Sequence, residues 1–156
     1  MEAGTRQKPQ QRGSREYGEG RCYDAGRMAS RRLPASVVAS LRKSLVVGVR
    51  AGDSHRFIGV WVVVVGDRVF VRSYTLKRGG WYWTFREDPT GAIQAGSRVV
   101  RIRAIPIRAE RVLNAVDEAY AEKYHRPGSR KYVRGFRRPS RRAATIEFVP
   151  ARSRRG

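Results

Sequence analysis

Cysteine is almost missing from this chain. Cys22 is the only one, so no internal disulfide can form, and a reducing, cytoplasmic compartment is expected. Histidine is nearly as scarce: His55 and His125 stand at no ligand spacing with each other or with Cys22, so no metal is expected. Long apolar runs are absent too. The longest, residues 58–65, is broken by Gly59 and is far too short to span a bilayer. The first 30 residues lack the apolar stretch of a secretory leader. Acidic side chains number 13 against 34 basic ones, a formal net charge of +21. Lysine occurs only at 8, 43, 77, 123 and 131, and the remaining basic residues are arginine. Such a field favours polyanionic partners, but an arginine-heavy, Ala/Gly/Val-rich chain also follows from a GC-rich genome. Charge alone therefore does not choose a partner. Also missing are a GxxxxGK[ST] loop, a strand-preceded GxGxxG, a GxSxG elbow and any carboxylate pair suited to acid–base work.

What is present reads as one domain between two polar ends. Residues 1–32 are rich in Gly, Arg, Glu, Gln and Ser and hold too few aliphatic side chains to offset their ordering entropy. A disordered basic arm is expected there, a folded domain over 33–150 and a basic tail over 151–156. Met28 offers a second start, which would make 1–27 an upstream extension. Pro34 suits a first helical turn, and Val37, Val38 and Leu41 recur at helical spacing. Residues 44–50 read as extended and 51–53 as a turn. Residues 57–65 form a β-branched run apolar at nearly every position, consistent with a strand buried on both sides. Gly66-Asp67 matches a two-residue hairpin returning through 69–74. After extended residues 92–94 and a turn at Gly96-Ser97, Val100, Ile102 and Ala104 alternate with Arg101 and Arg103. Pro106 ends that strand.

Residues 108–124 form the clearest helix, with Val112, Val116, Ala119 and Tyr120 as its apolar stripe. Glu110, Asp117, Glu118 and Glu122 are expected to face solvent. Residues 126–142 carry eight Arg or Lys and no acid, and 143–149 read as a last strand. The expected architecture is α+β: five or six mostly antiparallel strands curled into a small split β-barrel, with two or three flanking helices.

The stretch that offers chemistry is RVFVRSYTLKRGGWYWTFRED, residues 68–88. Arg72, Ser73, Tyr74, Lys77 and Arg78 place hydroxyls and cations at a strand end. Gly79 and Gly80 permit close backbone approach, and Trp81, Tyr82 and Trp83 offer flat surfaces. Guanidinium forks and a lysine point charge suit a phosphate; the aromatics suit a ring. The plainer alternative is an Arg/Lys-rich surface loop anchored by tryptophans.

The pattern GVWVVVVGDRVFVRSYTLKRGGWYWTFREDPTGAIQAG, with the later AVDEAYAEKYH, resembles the two signatures of a small uncharacterised bacterial family. The likeness covers about residues 33–150 and implies fold more than function, because that family has no established activity. More distantly, the order of hairpin, strand, Ser/Thr and basic loop, short helix with Asp-Pro, strand, Gly turn and strand is similar to the flavin- and deazaflavin-binding split barrels. These include pyridoxamine-phosphate-oxidase-like proteins and deazaflavin-dependent nitroreductases. That likeness implies FMN or a deazaflavin as cofactor, with Ser73, Lys77 and Arg78 at its phosphate. Gly79, Gly80, Trp81 and Asp88-Pro89 echo the second group. Tyr120, Lys123 and Tyr124 either border the ligand or belong to the core, and a homodimer is implied. One departure stands out: residues 57–65 lack the basic phosphate ligands of the FMN-binding group. Whether this chain is an enzyme stays open; if it is, the resemblance implies a flavin- or deazaflavin-dependent oxidoreductase.

The rival expectation is a nucleic-acid-binding module. Arg130, Lys131, Arg134, Arg137 and Arg138 would follow a phosphate backbone while Tyr132 and Phe136 stack on bases. A solvated basic loop is the plainer reading of the same residues.

Overall fold

A computed structural model describes residues 32–151. The arm expected at 1–32 and the tail expected at 151–156 lie, but for Arg32 and Ala151, outside the described residues. Helix α1 (Ala35–Lys43) begins after Pro34 and buries Val37, Val38 and Leu41. The strands are β1 (Val47–Ala51), β2 (Ile58–Val60), β3 (Val62–Val65), β4 (Arg68–Arg72), β5 (Thr90–Ala95), β6 (Arg98–Pro106) and β7 (Thr145–Pro150). The other helices are α2 (Trp81–Glu87), α3 (Glu110–Lys123), α4 (Arg130–Phe136) and the single turn α5 (Pro139–Arg142).

Every pairing is antiparallel, in the order β2-β1-β5-β6-β7-β4-β3. The two edge strands, β2 and β3, are consecutive in the chain and separated only by Trp61. One extended segment therefore pairs with β1 through its first part and with β4 through its second. That double use nearly closes the sheet into a small split barrel, the α+β architecture expected from the sequence. It also adds a strand to the expected five or six. Gly66-Asp67 and Gly96-Ser97 are two-residue hairpin loops, with Val65 opposite Arg68 and Ala95 opposite Arg98.

Alternation along the strands produces two cores. Val62, Val69 and Val71 join α1, Tyr82 and Phe85 in the larger, interior core. Val63 and Phe70 point the other way, under Leu113, Val116 and Tyr120 of α3 and Val133 and Phe136 of α4. This second layer is why the run at 62–65 is apolar on both faces.

Asp117 and the basic segment differ from the sequence expectation. Asp117 does not face solvent: it is 8% exposed and accepts from Arg72 at 2.6 Å and from Arg142 at 3.1 Å. A carboxylate at this point of the apolar stripe neutralises a guanidinium that the barrel buries. Trp81–Glu87 forms the short helix before Asp88-Pro89 that the split-barrel resemblance implies, although its residues favour strands, because Tyr82 and Phe85 recur at helical spacing and are buried. The basic segment 126–142 is mostly helical, with Val133 and Phe136 as its buried anchors.

Candidate functional site

The break at Trp61 exposes the edge of an aromatic cluster. Its indole stacks flat on Tyr124, with ring centroids 4.2 Å apart and planes within 2°. It meets Tyr132 and Phe136 edge-on at 6.0 and 6.2 Å. Tyr74, just beyond β4, meets the same two rings edge-on at 5.4 and 5.5 Å. Between these groups lies a cavity of about 340 Å³, lined by Gly59, Trp61, Tyr74, Trp81, Tyr132 and Phe136 together with Val60, Arg72 and Thr75. Its size lies within the range of small-molecule sites, and its walls are mostly apolar with few polar groups.

Buried tyrosines of α3 fix this edge. The Tyr120 hydroxyl accepts from the Arg72 N–H at 3.1 Å and donates to the Trp61 carbonyl at 2.9 Å. The Tyr124 hydroxyl accepts from the Val62 N–H at 3.1 Å and donates to the Leu45 carbonyl at 2.7 Å. Backbone groups left unpaired by the strand break are thereby satisfied. Burial raises the Tyr120 phenol above its ordinary value and pushes Tyr124 up to about 12, so both stay neutral donors. Lys123 donates to the Leu41 and Val62 carbonyls at 3.1 and 2.7 Å, and burial pushes its ammonium down to about 8.

A second recess, of about 310 Å³, shares Thr75 and Trp81 with the first. Val49, Ala51 and Ile58 make its walls mostly apolar, and His55, Arg56, Gly79, Gly80 and Thr84 complete them. The loop between β4 and α2 turns at Gly79, whose φ of 86° suits glycine, and the Trp83 indole N–H pins it by donating to the Leu76 carbonyl at 3.0 Å.

The sequence profile of a family described as "Uncharacterized protein conserved in bacteria (DUF2255)" matches residues 40–148. The chain belongs to this family. No curated protein matches it in sequence. Among solved structures, the conserved hypothetical protein Rv2991 from Mycobacterium tuberculosis is similar at a TM-score of 0.51 and 12% identity, over 81% of this chain and 84% of that one. An F420-H2 dependent reductase (FDR-A) gives a TM-score of 0.49 at 18% identity, covering 67% and 93%. A FAD-binding protein from Mesorhizobium loti gives 0.45 at 14%, covering 79% and 93%. At these identities the likeness concerns fold alone.

The residues singled out in the sequence of this DUF2255 chain take different places. Arg72 is 2% exposed and committed, donating to Asp117, the Phe136 carbonyl, the Thr145 hydroxyl and, at 3.4 Å, the Leu113 carbonyl. The Ser73 hydroxyl is turned inward to the Thr75 carbonyl at 2.5 Å. Tyr74 and Trp81 line the aromatic cavity, whereas Gly79 and Gly80 line the neighbouring recess. Lys77 and Arg78 are exposed on the loop beside them, with Arg78 5.6 Å above the Trp83 ring. The basic segment divides. Tyr132 and Phe136 face the aromatic cavity, Lys131, Arg134 and Arg138 line a separate recess, and Arg130 and Arg137 are exposed.

Sequence reasoning did not single out Trp61, Thr75, His55 or Arg56 as site residues of the DUF2255 chain. Trp61 was the one that could be found: it is the only aromatic within the run 58–65, next to Gly59. No carboxylate, histidine or cysteine lines the aromatic cavity, and Arg72 is its one charged lining residue. Among the described residues no cluster of His, Cys, Asp and Glu could hold a metal, and no helix is long and apolar enough to cross a membrane.

Proposed function

We propose that this DUF2255 protein binds a planar ring cofactor carrying a phosphate, FMN or a deazaflavin, and serves as an oxidoreductase through it. The observation that carries the reading is the junction of an aromatic-walled cavity with a glycine-lined recess across Trp81 and Thr75. A ring would occupy the first; the second, mostly apolar through Val49, Ala51 and Ile58 but open to Arg56, would take the chain that leads to the phosphate. The residues suit such a group: no carboxylate lines either space to repel a phosphate, and Arg56 stands in the second. Tyr74 and Trp81 would border the ring, with Trp61 as the far wall. Gly79 and Gly80 would let the tail approach the backbone, with Lys77 and Arg78 closing over it. Arg72 and Ser73 would act as the buried anchors from which that loop departs. The bound ring would supply hydride chemistry, while the chain would supply orientation and exclude water. The sequence resemblance to flavin and deazaflavin split barrels points the same way, and a cytoplasmic homodimer is part of the same proposal.

Affinity measurements on wall variants test it. Tyr74→Ala or Trp81→Ala should weaken FMN or deazaflavin binding by about tenfold or more, the scale of one lost stacking partner. Equal affinity in both variants would overturn the assignment.

A further inference from the structure

Tyr74 has a second neighbour that the ring-binding reading leaves unused. A recess of about 400 Å³ is lined by Tyr74, Lys131, Arg134, Gly135, Arg138 and Arg141. Lys131, Arg134 and Arg138 fall at successive helical turns on one side of α4 and its end, and no acidic residue lines the space. None of these four cations joins an ion pair among the described residues.

Two features show that the recess is built rather than left over. Arg141 is pinned: its Nε donates to the Tyr74 carbonyl at 2.7 Å and its Nη1 to the Gly135 carbonyl at 3.2 Å, with the guanidinium 3.9 Å from the Tyr74 ring centroid. Two of five N–H donors are spent, which leaves three held in fixed directions. Gly135 is the floor. A Cβ there would lie 2.7 Å from the Tyr74 ring, so glycine is what lets α4 approach. Four like charges around one concave space repel each other, and a multiply charged oxyanion relieves that repulsion through charge-assisted hydrogen bonds.

We propose that this recess binds a phosphate-type, multiply charged small anion beside Tyr74, which also lines the aromatic cavity. Its cations lie within residues 131–141 around one space instead of forming an extended stripe, which favours a small anion over a nucleic-acid backbone. The anion is either a charged group of the ring ligand itself or a separate anionic substrate held beside the ring. The recess stands independently of the ring-binding reading, since Tyr74 is the only residue the two share.

Calorimetric titration of the full chain with inorganic pyrophosphate at near-physiological salt tests the proposal. One saturable site per chain is expected. Arg134→Ala with Arg138→Ala should weaken it by about tenfold or more, while Arg101→Ala with Arg103→Ala, which removes the same charge from β6, should change it by less than about twofold. Both pairs carry exposed or half-exposed side chains, so both variants are expected to fold. Equal losses in the two variants, or none in the first, would overturn the proposal. So would a single-stranded oligonucleotide that displaces pyrophosphate at far lower concentration. Competition by FMN supports the recess and moves the phosphate of the ring ligand there from the Gly79-Gly80 loop; simultaneous binding supports it with a separate anion. Pyrophosphate binding without FMN binding would leave the recess standing and remove only the ring reading.

Discussion

Arg72 and Asp117 hold each other at 2.6 Å inside the protein, at 2% and 8% exposure, and join the last barrel strand before the candidate loop to the helix that covers it. Thr145 and the Phe136 and Leu113 carbonyls complete the guanidinium's partners, so one side chain ties β4, α3, α4 and β7 together. Asp117→Asn leaves a buried arginine without its counter-charge and should cost about 3–5 kcal/mol. Arg72→Met with Asp117→Leu, which removes both charges, should lose much less. Urea unfolding of the three proteins checks this; a cost below about 1 kcal/mol for Asp117→Asn would contradict it.

Tyr120→Phe removes the hydroxyl shared by the Arg72 N–H and the Trp61 carbonyl. Leaving buried backbone groups unpaired should cost about 1–3 kcal/mol and loosen the Trp61 edge of the cavity. Unfolding midpoints read the first effect and near-ultraviolet circular dichroism the second. An unchanged tryptophan signal would separate Tyr120 from the cavity.

Stability should depend on pH in two opposed steps. Lys123 is pushed down to about 8 by burial from an ordinary 10.5. Above pH 8 the folded protein has lost this proton while the unfolded chain still binds it, so stability rises with pH. The tyrosines act in reverse. Tyr120 and Tyr124 are raised from 10.0 by burial, so above pH 10 the unfolded chain ionises first and stability falls. Denaturation midpoints from pH 7 to 11 should pass through a maximum near pH 10, and Lys123→Met should flatten the rising limb. A rising limb unchanged in that variant would contradict the assignment.

Lys77→Ala with Arg78→Ala should abolish or weaken FMN binding by about tenfold or more without moving the unfolding midpoint, because both side chains are exposed. Equal affinity would remove these two residues from the phosphate assignment.

The barrel was legible because its signals are local. The alternation of Val100, Ile102 and Ala104 with Arg101 and Arg103, and the two-residue turns at Gly66 and Gly96, all reappear in the strand register. The ion pair was not legible. Asp117 looks like one more acid on a polar helix face until β4 places Arg72 beside it, 45 residues away in sequence. The aromatic cavity was half legible for the same reason. Tyr74 and Trp81 lie in one loop region, but Tyr132 and Phe136 reach them only because α4 folds back against β3 and β4. Pro127 and Pro139 at the first positions of helical turns were the unused sign that 126–142 was not a loop.

The most direct test is a fluorescence titration of the nucleic-acid-free full chain with FMN and with a deazaflavin, at low and at raised salt. A pocket between Trp61, Tyr74 and Trp81 predicts saturable quenching, one site per chain, that largely survives the added salt. About six phosphate contacts would instead lose on the order of 10³-fold in affinity between 50 and 200 mM salt. Quenching by neither ligand, or quenching that collapses in this way, would contradict the account.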